Sequence, residues 1–176
     1  TNGAGNYPAW LHRHHRYCAL GIQLAPTSGS RGYRLPAAIA AKLLQPQRTV
    51  IAFSGDGCFL MIDQELATAV QYELSLVVIL VNNGMYGTIR MHQEKRYPGR
   101  ISGTDLVNPD FCTLVVTFGA HAERVAETKE FIPVLRRVVA NSRPSLIELM
   151  VDPDAISPNQ TLAEIRAAAT MNGANT

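Results

Sequence analysis

A chain of 176 residues, 47% hydrophobic and 17% charged, is long enough to bury one substantial core and reads as one globular α/β domain. Its net charge of +2 selects no partner class, and the sixteen basic residues are scattered apart from His12 to Arg16, too small a footprint for nucleic acid. No apolar run reaches the roughly eighteen residues that span a bilayer and no signal peptide leads the chain, so no membrane partner and a cytoplasmic location are expected; Cys18, Cys58 and Cys112, without CxxC spacing, fit free thiols there.

Thr1 to Tyr7 reads as a glycine-rich loop. In an α/β domain such a loop follows a strand, so a trimmed chain lacking its first strand is expected. Trp10, Leu11 and Tyr17 fit a helix, with His12, Arg13, His14, His15 and Arg16 on its wet side. Three close histidines invite a metal, but interleaved arginines and the lack of nearby acidic or cysteine ligands favour a solvated basic face. Thr27 to Pro36 is a second glycine-rich loop, running into a helix of small residues, Ala37, Ala38, Ala40 and Ala41.

Thr49 to Ser54 and Leu76 to Val81 are short runs, apolar on both faces and rich in β-branched residues, as suits central strands of a parallel sheet. Glu65, Leu66, Ala69, Val70 and Tyr72 follow a helical spacing between them, with Asp63 as the expected N-cap. A βαβ unit brings the carboxyl ends of both strands to one edge of the sheet, where open α/β sheets bind ligands, so Asp56 and Asn83 converge. A carboxylate, a carboxamide oxygen and a nearby backbone carbonyl are hard donors that suit Mg²⁺ or Ca²⁺. Mg²⁺ usually completes its octahedron with water and phosphate oxygens, so a phosphate ligand is expected beside it. Gly55, Gly57, Gly84 and Gly87 let the backbone approach and aim N–H groups at such an anion.

Thr88 to Gly103 is polar and mixed and reads on its own as a solvated linker. Asn108 is the expected N-cap, with Pro109 at the first helical position, of a helix through Leu114, Val115 and Phe118 that stops at Gly119. His121 to Val125 is a strand. Thr128 is expected to cap a helix through Phe131, Leu135, Val138 and Val139, and Ser145 to Val151 is the next strand. Glu148 inside it is read as an edge or end-of-sheet carboxylate rather than a catalytic one. The domain is placed at 1–157, and 158–176 is a polar, alanine-rich tail with at most a short helix from Leu162 to Ala169.

Gly55-Asp56-Gly57, twenty-four intervening residues and then Asn82-Asn83 resemble the diphosphate and metal signature of thiamine-diphosphate enzymes. Phe59-Leu60-Met61 and Gln64 to Ala69 resemble the acetolactate synthase branch, and the likeness covers nearly the whole chain. It implies a three-layer αβα open parallel sheet that binds thiamine diphosphate and Mg²⁺. It also implies Asp56, Asn83 and the carbonyl of Met85 as metal ligands. Asn6 and Tyr7 would touch the diphosphate, Gly29 and the amide of Arg31 would grip the aminopyrimidine, and Gly57, Cys58, Gly84, Tyr86 and Gly87 would complete the cofactor contacts. Thr88 to Gly103 would lie over the active site.

The implied function is a carboligase or 2-oxo-acid decarboxylase, in which the deprotonated thiazolium attacks a 2-oxo acid carbonyl and holds the electron pair that carbon dioxide leaves behind. The glutamate that serves the pyrimidine belongs to a separate pyrimidine-binding domain or subunit, and nothing here matches its context. That domain, a 2-oxo acid and further copies of the chain are therefore the implied partners. Two positions depart from the pattern: Arg31 stands where a bulky apolar residue props the bent cofactor, and Arg34 where glycine is usual. A guanidinium there must give up hydration beside a cationic ring. The alternative reading is thus a non-catalytic relative that keeps the fold as a binding or oligomerisation module.

Overall fold

Four short strands carry the fold in the computed structural model, which describes residues 1–173. They are β1 (Ile51–Gly55), β2 (Val77–Asn82), β3 (His121–Val125) and β4 (Ser145–Met150), all parallel and ordered β1-β2-β4-β3. The two middle strands are apolar on both faces because both faces are covered. Val78 and Leu80 of β2, with Ala52 and Leu146, pack beneath α2 (Arg34–Leu44), α4 (Glu65–Gln71) and α6 (Phe111–Thr117). Val77, Ile79 and Ile147 point the other way, into α7 (Thr128–Ala140) through Val134 and Val138. Helices on both faces of a parallel sheet form the three-layer architecture expected, with each fully buried aliphatic side chain contributing about 1.5–3 kcal/mol.

The ends of several helices fall elsewhere than expected. α1 runs Tyr7–His14 and leaves Tyr17 outside, its chain turning extended at His15. α2 begins at Arg34, so the second loop is shorter than its glycines suggested. At α4 the N-cap position is Gln64, and the Asp63 carboxylate accepts from the Gln64 N–H at 3.0 Å. Asp110, not Asn108, caps α6 by accepting from Thr113 N–H, and Glu127, not Thr128, caps α7 through a reciprocal capping box with Glu130. In both cases a nearby side chain with an acceptor oxygen takes the cap instead.

Thr88 to Gly103 is not a linker. α5 (Gly87–Arg96) occupies most of it, and α8 (Leu162–Gly173), longer than expected, packs against it. Met85, Ile156, Leu162 and Ile165 form a small third core between them. The Arg166 guanidinium donates to both oxygens of the buried Glu94 carboxylate, at 2.8 and 2.5 Å. Residues 174–176 of the expected tail lie outside the described residues. At the other end Thr1 and Asn2 run beside β1, where Phe53 N–H donates to the Thr1 carbonyl at 2.8 Å. Among the described residues no helix is long and apolar enough to cross a membrane.

The Arg166 hydrogen bonds hold the Glu94 carboxyl below its ordinary value of 4.5. A carboxyl lowered by folding contributes stability that is present above its unfolded value and is lost as pH falls through the folded one. Denaturant titrations from pH 6 down to pH 3 should therefore show the wild type losing stability below about 4.5, and Glu94→Gln a flatter acid limb. Parallel limbs would show that the pair does not anchor α8.

Candidate functional site

The carboxyl ends of β1 and β2 open onto a cavity of about 390 Å³. Gly55 sits opposite Val81 in the parallel register, so Asp56 and the Asn82-Asn83 pair leave the sheet side by side. Asn6 and Tyr7 line the cavity from α1, and Arg31 from the second loop. Asp56, Gly57 and Cys58 line it from α3 (Asp56–Phe59), and Asn83, Met85, Tyr86 and Gly87 from the loop after β2. Gly29 and Gly84 of the expected set are not in its wall. Gly29 has open space around it, whereas Gly84, at a φ of 68°, turns the chain so that its N–H donates to Asp56 Oδ2 at 2.8 Å.

Asp56 is 2% exposed. Its Oδ1 accepts from Gly57 N–H at 2.8 Å, and its Oδ2 accepts from Gly84 N–H and from Asn108 Nδ2–H at 2.9 Å. Oδ2 is therefore filled, while Oδ1 keeps a lone pair. Among the described residues no cationic side chain pairs with Asp56, so its charge is buried among neutral donors alone. Such a charge favours a cation. Asn83 Oδ1, which accepts one bond from Met85 N–H at 3.3 Å, and the Met85 carbonyl are the further oxygens of this loop. Three hard oxygens of net charge minus one fit Mg²⁺ or Ca²⁺ and leave coordination positions for water and an anion.

A second buried charge lies behind the wall. The Tyr7 side chain is packed over three glycines: a Cβ on Gly3 would come within 2.7 Å of its hydroxyl, and one on Gly5 or Gly55 within 2.8 or 3.1 Å of its ring. Its hydroxyl is buried without a partner, and burial pushes its pKa up to about 12 against the opposing pull of Arg34. Arg34, the first residue of α2, is 0% exposed, and among the described residues none of its three guanidinium nitrogens has a hydrogen-bond partner. Burial pulls its pKa below the ordinary arginine value. The two arginines that break the resemblance thus have different fates, Arg31 at the cavity and Arg34 inside the wall.

From the sequence alone Asn82 carries no role of its own, Asn108 reads as a cap and Glu148 as an edge or end-of-sheet residue. β4 is an interior strand, and Glu148 is 1% exposed between Leu80 of β2 and Arg124 of β3. The overlooked signal is a glutamate inside an otherwise apolar strand, which demands a buried partner. The histidines of α1 stay exposed, as expected of a solvated face.

Residues 3–149 match the family described as thiamine pyrophosphate enzyme, C-terminal TPP binding domain. The acetolactate synthase large subunit of Corynebacterium glutamicum is 41% identical over 133 residues, which cover 72% of this chain and 21% of that protein. The acetolactate synthase isozyme 2 large subunit of Escherichia coli K12 is 30% identical over 154 residues, covering 86% of this chain and 28% of that protein. The solved structure of the Rhodococcus jostii RHA1 thiamine diphosphate-dependent 4-hydroxybenzoylformate decarboxylase superposes with a TM-score of 0.69 at 34% identity, covering 73% of this chain and 24% of that one. The chain thus spans about a fifth to three-tenths of the length of these relatives.

A partnerless buried cation destabilises, and a side chain of similar volume without the charge does not. Arg34→Met should raise the free energy of unfolding by about 1–4 kcal/mol. Arg34→Gly should gain less, because it leaves a cavity and puts glycine in the first turn of a helix. Urea denaturation checks this; a lower midpoint in Arg34→Met would mean that the guanidinium is accommodated after all.

Proposed function

The chain belongs to the thiamine pyrophosphate enzyme family, in its C-terminal TPP-binding domain, and from that membership we propose that it is the diphosphate- and Mg²⁺-binding part of an acetolactate-synthase-like carboligase or 2-oxo-acid decarboxylase. The observation that supports this most is Asp56: a buried carboxylate in the cavity wall that keeps a lone pair on Oδ1 and, among the described residues, has no cationic partner. In this reading Asp56 Oδ1, Asn83 Oδ1 and the Met85 carbonyl hold Mg²⁺. Asn6, Tyr7, Gly57, Cys58, Tyr86 and Gly87 surround the diphosphate, and Arg31 faces the rings. When bound, the cofactor supplies a carbanion-forming thiazolium that accepts the electron pair of a departing carboxylate. The protein residues anchor and orient it. Tyr86 closes one side, because a Cβ on Gly57 would meet its ring at 2.6 Å, and Ile156 from the α8 side comes within 2.7 Å of a Cβ on Gly87.

Nothing in the described site supplies a carboxylic acid for the pyrimidine, so catalysis in this reading requires a pyrimidine-binding domain or subunit. A second copy of the chain is the other partner proposed, because apolar residues such as Leu44, Val107 and Met171 are exposed. The second reading, a non-catalytic relative, is favoured by the two arginines.

Calorimetric titration with thiamine diphosphate tests the first reading. Binding should require Mg²⁺ and vanish in Asp56→Ala, since removing the charged ligand leaves too little to hold the ion. Binding unchanged by chelator or by the substitution would overturn the assignment.

Arg31 decides between the readings. A cation facing the rings repels a positive thiazolium and must give up hydration, and misplacement of the reacting group is costly in rate. Once the chain is joined to a pyrimidine-binding domain, Arg31→Met should raise pyruvate turnover on the order of tenfold or more. Equal turnover in the unmodified protein would remove the main support for the non-catalytic reading.

A further inference from the structure

A chain of buried amides and carboxylates leads from Asp56 across the sheet to β3. Asn108 Nδ2 donates to Asp56 Oδ2 and to Asn82 Oδ1, both at 2.9 Å. Asn82 Nδ2 in turn donates to Glu148 Oε1 at 2.7 Å. Glu148 Oε2 accepts from Arg124 Nε–H at 2.7 Å and from the Cys112 thiol at 3.6 Å. Asp110, Cys112 and Glu148 lie close enough together to suggest a metal site, but the Arg124 guanidinium bonds both carboxylates. It fills the place of a cation.

Each link sets the orientation of the next. Arg124 can only donate, so Glu148 must accept on that side; a carboxylate can also accept on the other, and Asn82 then has to turn its NH₂ toward it. Asn82 Oδ1 is thereby aimed back at Asp56 Oδ2. Two acceptors face each other there, and they are reconciled by donors that lie against both: Gly84 N–H, at 2.8 and 3.2 Å, and the Asn108 NH₂. Asn108 Oδ1 is buried without a partner, so the demand for its NH₂ is what fixes that amide. The segment carrying it is held in turn, since Leu106 N–H donates to the Gly84 carbonyl and Tyr86 N–H to the Thr104 carbonyl.

We propose that Glu148 is a positioning residue which, through Asn82 and Asn108, occupies Asp56 Oδ2 and so leaves Oδ1 as the oxygen presented to the cation. This rests on the reading of Asp56 as an Mg²⁺ ligand. The chemistry makes a sharp demand on residue 148: a carboxylate accepts on both sides, whereas an amide accepts on one. In Glu148→Gln the single carbonyl turns to Arg124, the new NH₂ faces Asn82, and Asn82 must flip. Its NH₂ then meets the Asn108 NH₂, so the Asn108 amide loses its Asn82 acceptor and with it its fixed place on Asp56 Oδ2, which the Gly84 N–H still meets. Partners of metal-ligating carboxylates typically contribute 10–100-fold to metal affinity.

The test measures the Mg²⁺ concentration for half-maximal thiamine diphosphate binding, by calorimetry, together with Tm. The proteins are the wild type, Asp56→Ala, Glu148→Gln, Asn108→Ala, the Glu148→Gln/Asn108→Ala double variant, and Glu123→Gln as a control that removes a different β3 ion pair. Glu148→Gln and Asn108→Ala should each raise the Mg²⁺ midpoint about 10–100-fold. The double variant should be no worse than the weaker-binding single variant, because all act through one path, and Glu123→Gln should leave the midpoint in place. If Asp56→Ala abolishes binding while Asn108→Ala, folded, keeps the wild-type midpoint, the relay is overturned and the ligand assignment stands. If Asp56→Ala binds as the wild type does, both fall. Should Glu148→Gln fail to fold, Asn108→Ala decides alone, and a strictly additive double variant would also overturn the shared path.

Discussion

Burying the carboxylate of Asp56 between two strand ends is the constraint on which the rest of the site depends. A charge at 2% exposure is tolerable only if its lone pairs are met, and the fold meets them with neutral donors: the Gly57 N–H, the Gly84 N–H and the Asn108 amide. A lysine or arginine in the same place would neutralise the charge; N–H groups solvate the carboxylate and leave its charge available. Parallel pairing of β1 and β2 supplies the geometry, because both strands end at the same edge and bring Asp56 beside Asn82 and Asn83.

The same corner holds an opposite charge handled differently. Arg34 is enclosed by the Tyr7 ring and the Gly3 backbone and has no hydrogen-bond partner for its guanidinium. Asp56 shows a buried charge organised by its surroundings, and Arg34 one that the surroundings do not answer. The contrast separates the two departures from the family pattern. Arg34 bears on the stability of the cavity wall, while Arg31 bears on what lines the cavity itself.

The polar segment after the second strand end gains its structure from contacts far along the chain. Arg90 of α5 donates to Thr104 and Asp105, and Glu94 receives Arg166 from α8. These ties hold the Met85 to Gly87 loop against the Thr104 to Asn108 segment, which delivers Asn108 to Asp56. A helix whose charged residues are satisfied in this way carries no amphipathic stripe, and so its sequence looks like a linker.

What the sequence determined by itself was local and chemical. Two apolar strands with a helical crossover, ending in Gly55-Asp56-Gly57 and Asn82-Asn83, specify a parallel pair and a set of hard oxygen donors at one edge, because strand period and ligand chemistry are properties of the residues concerned. What only the tertiary structure decided was which polar residues meet. Asn108 reads as the cap of α6, but Asp110 takes the cap by accepting from Thr113 N–H, and Asn108 donates to the Asp56 carboxylate instead. Glu148 reads as an edge residue until the strand order β1-β2-β4-β3 puts β4 inside the sheet beside Arg124. Arg34 reads as part of a loop until α2 begins at it and encloses it. A buried polar group is defined by partners distant in sequence, and no local pattern records them.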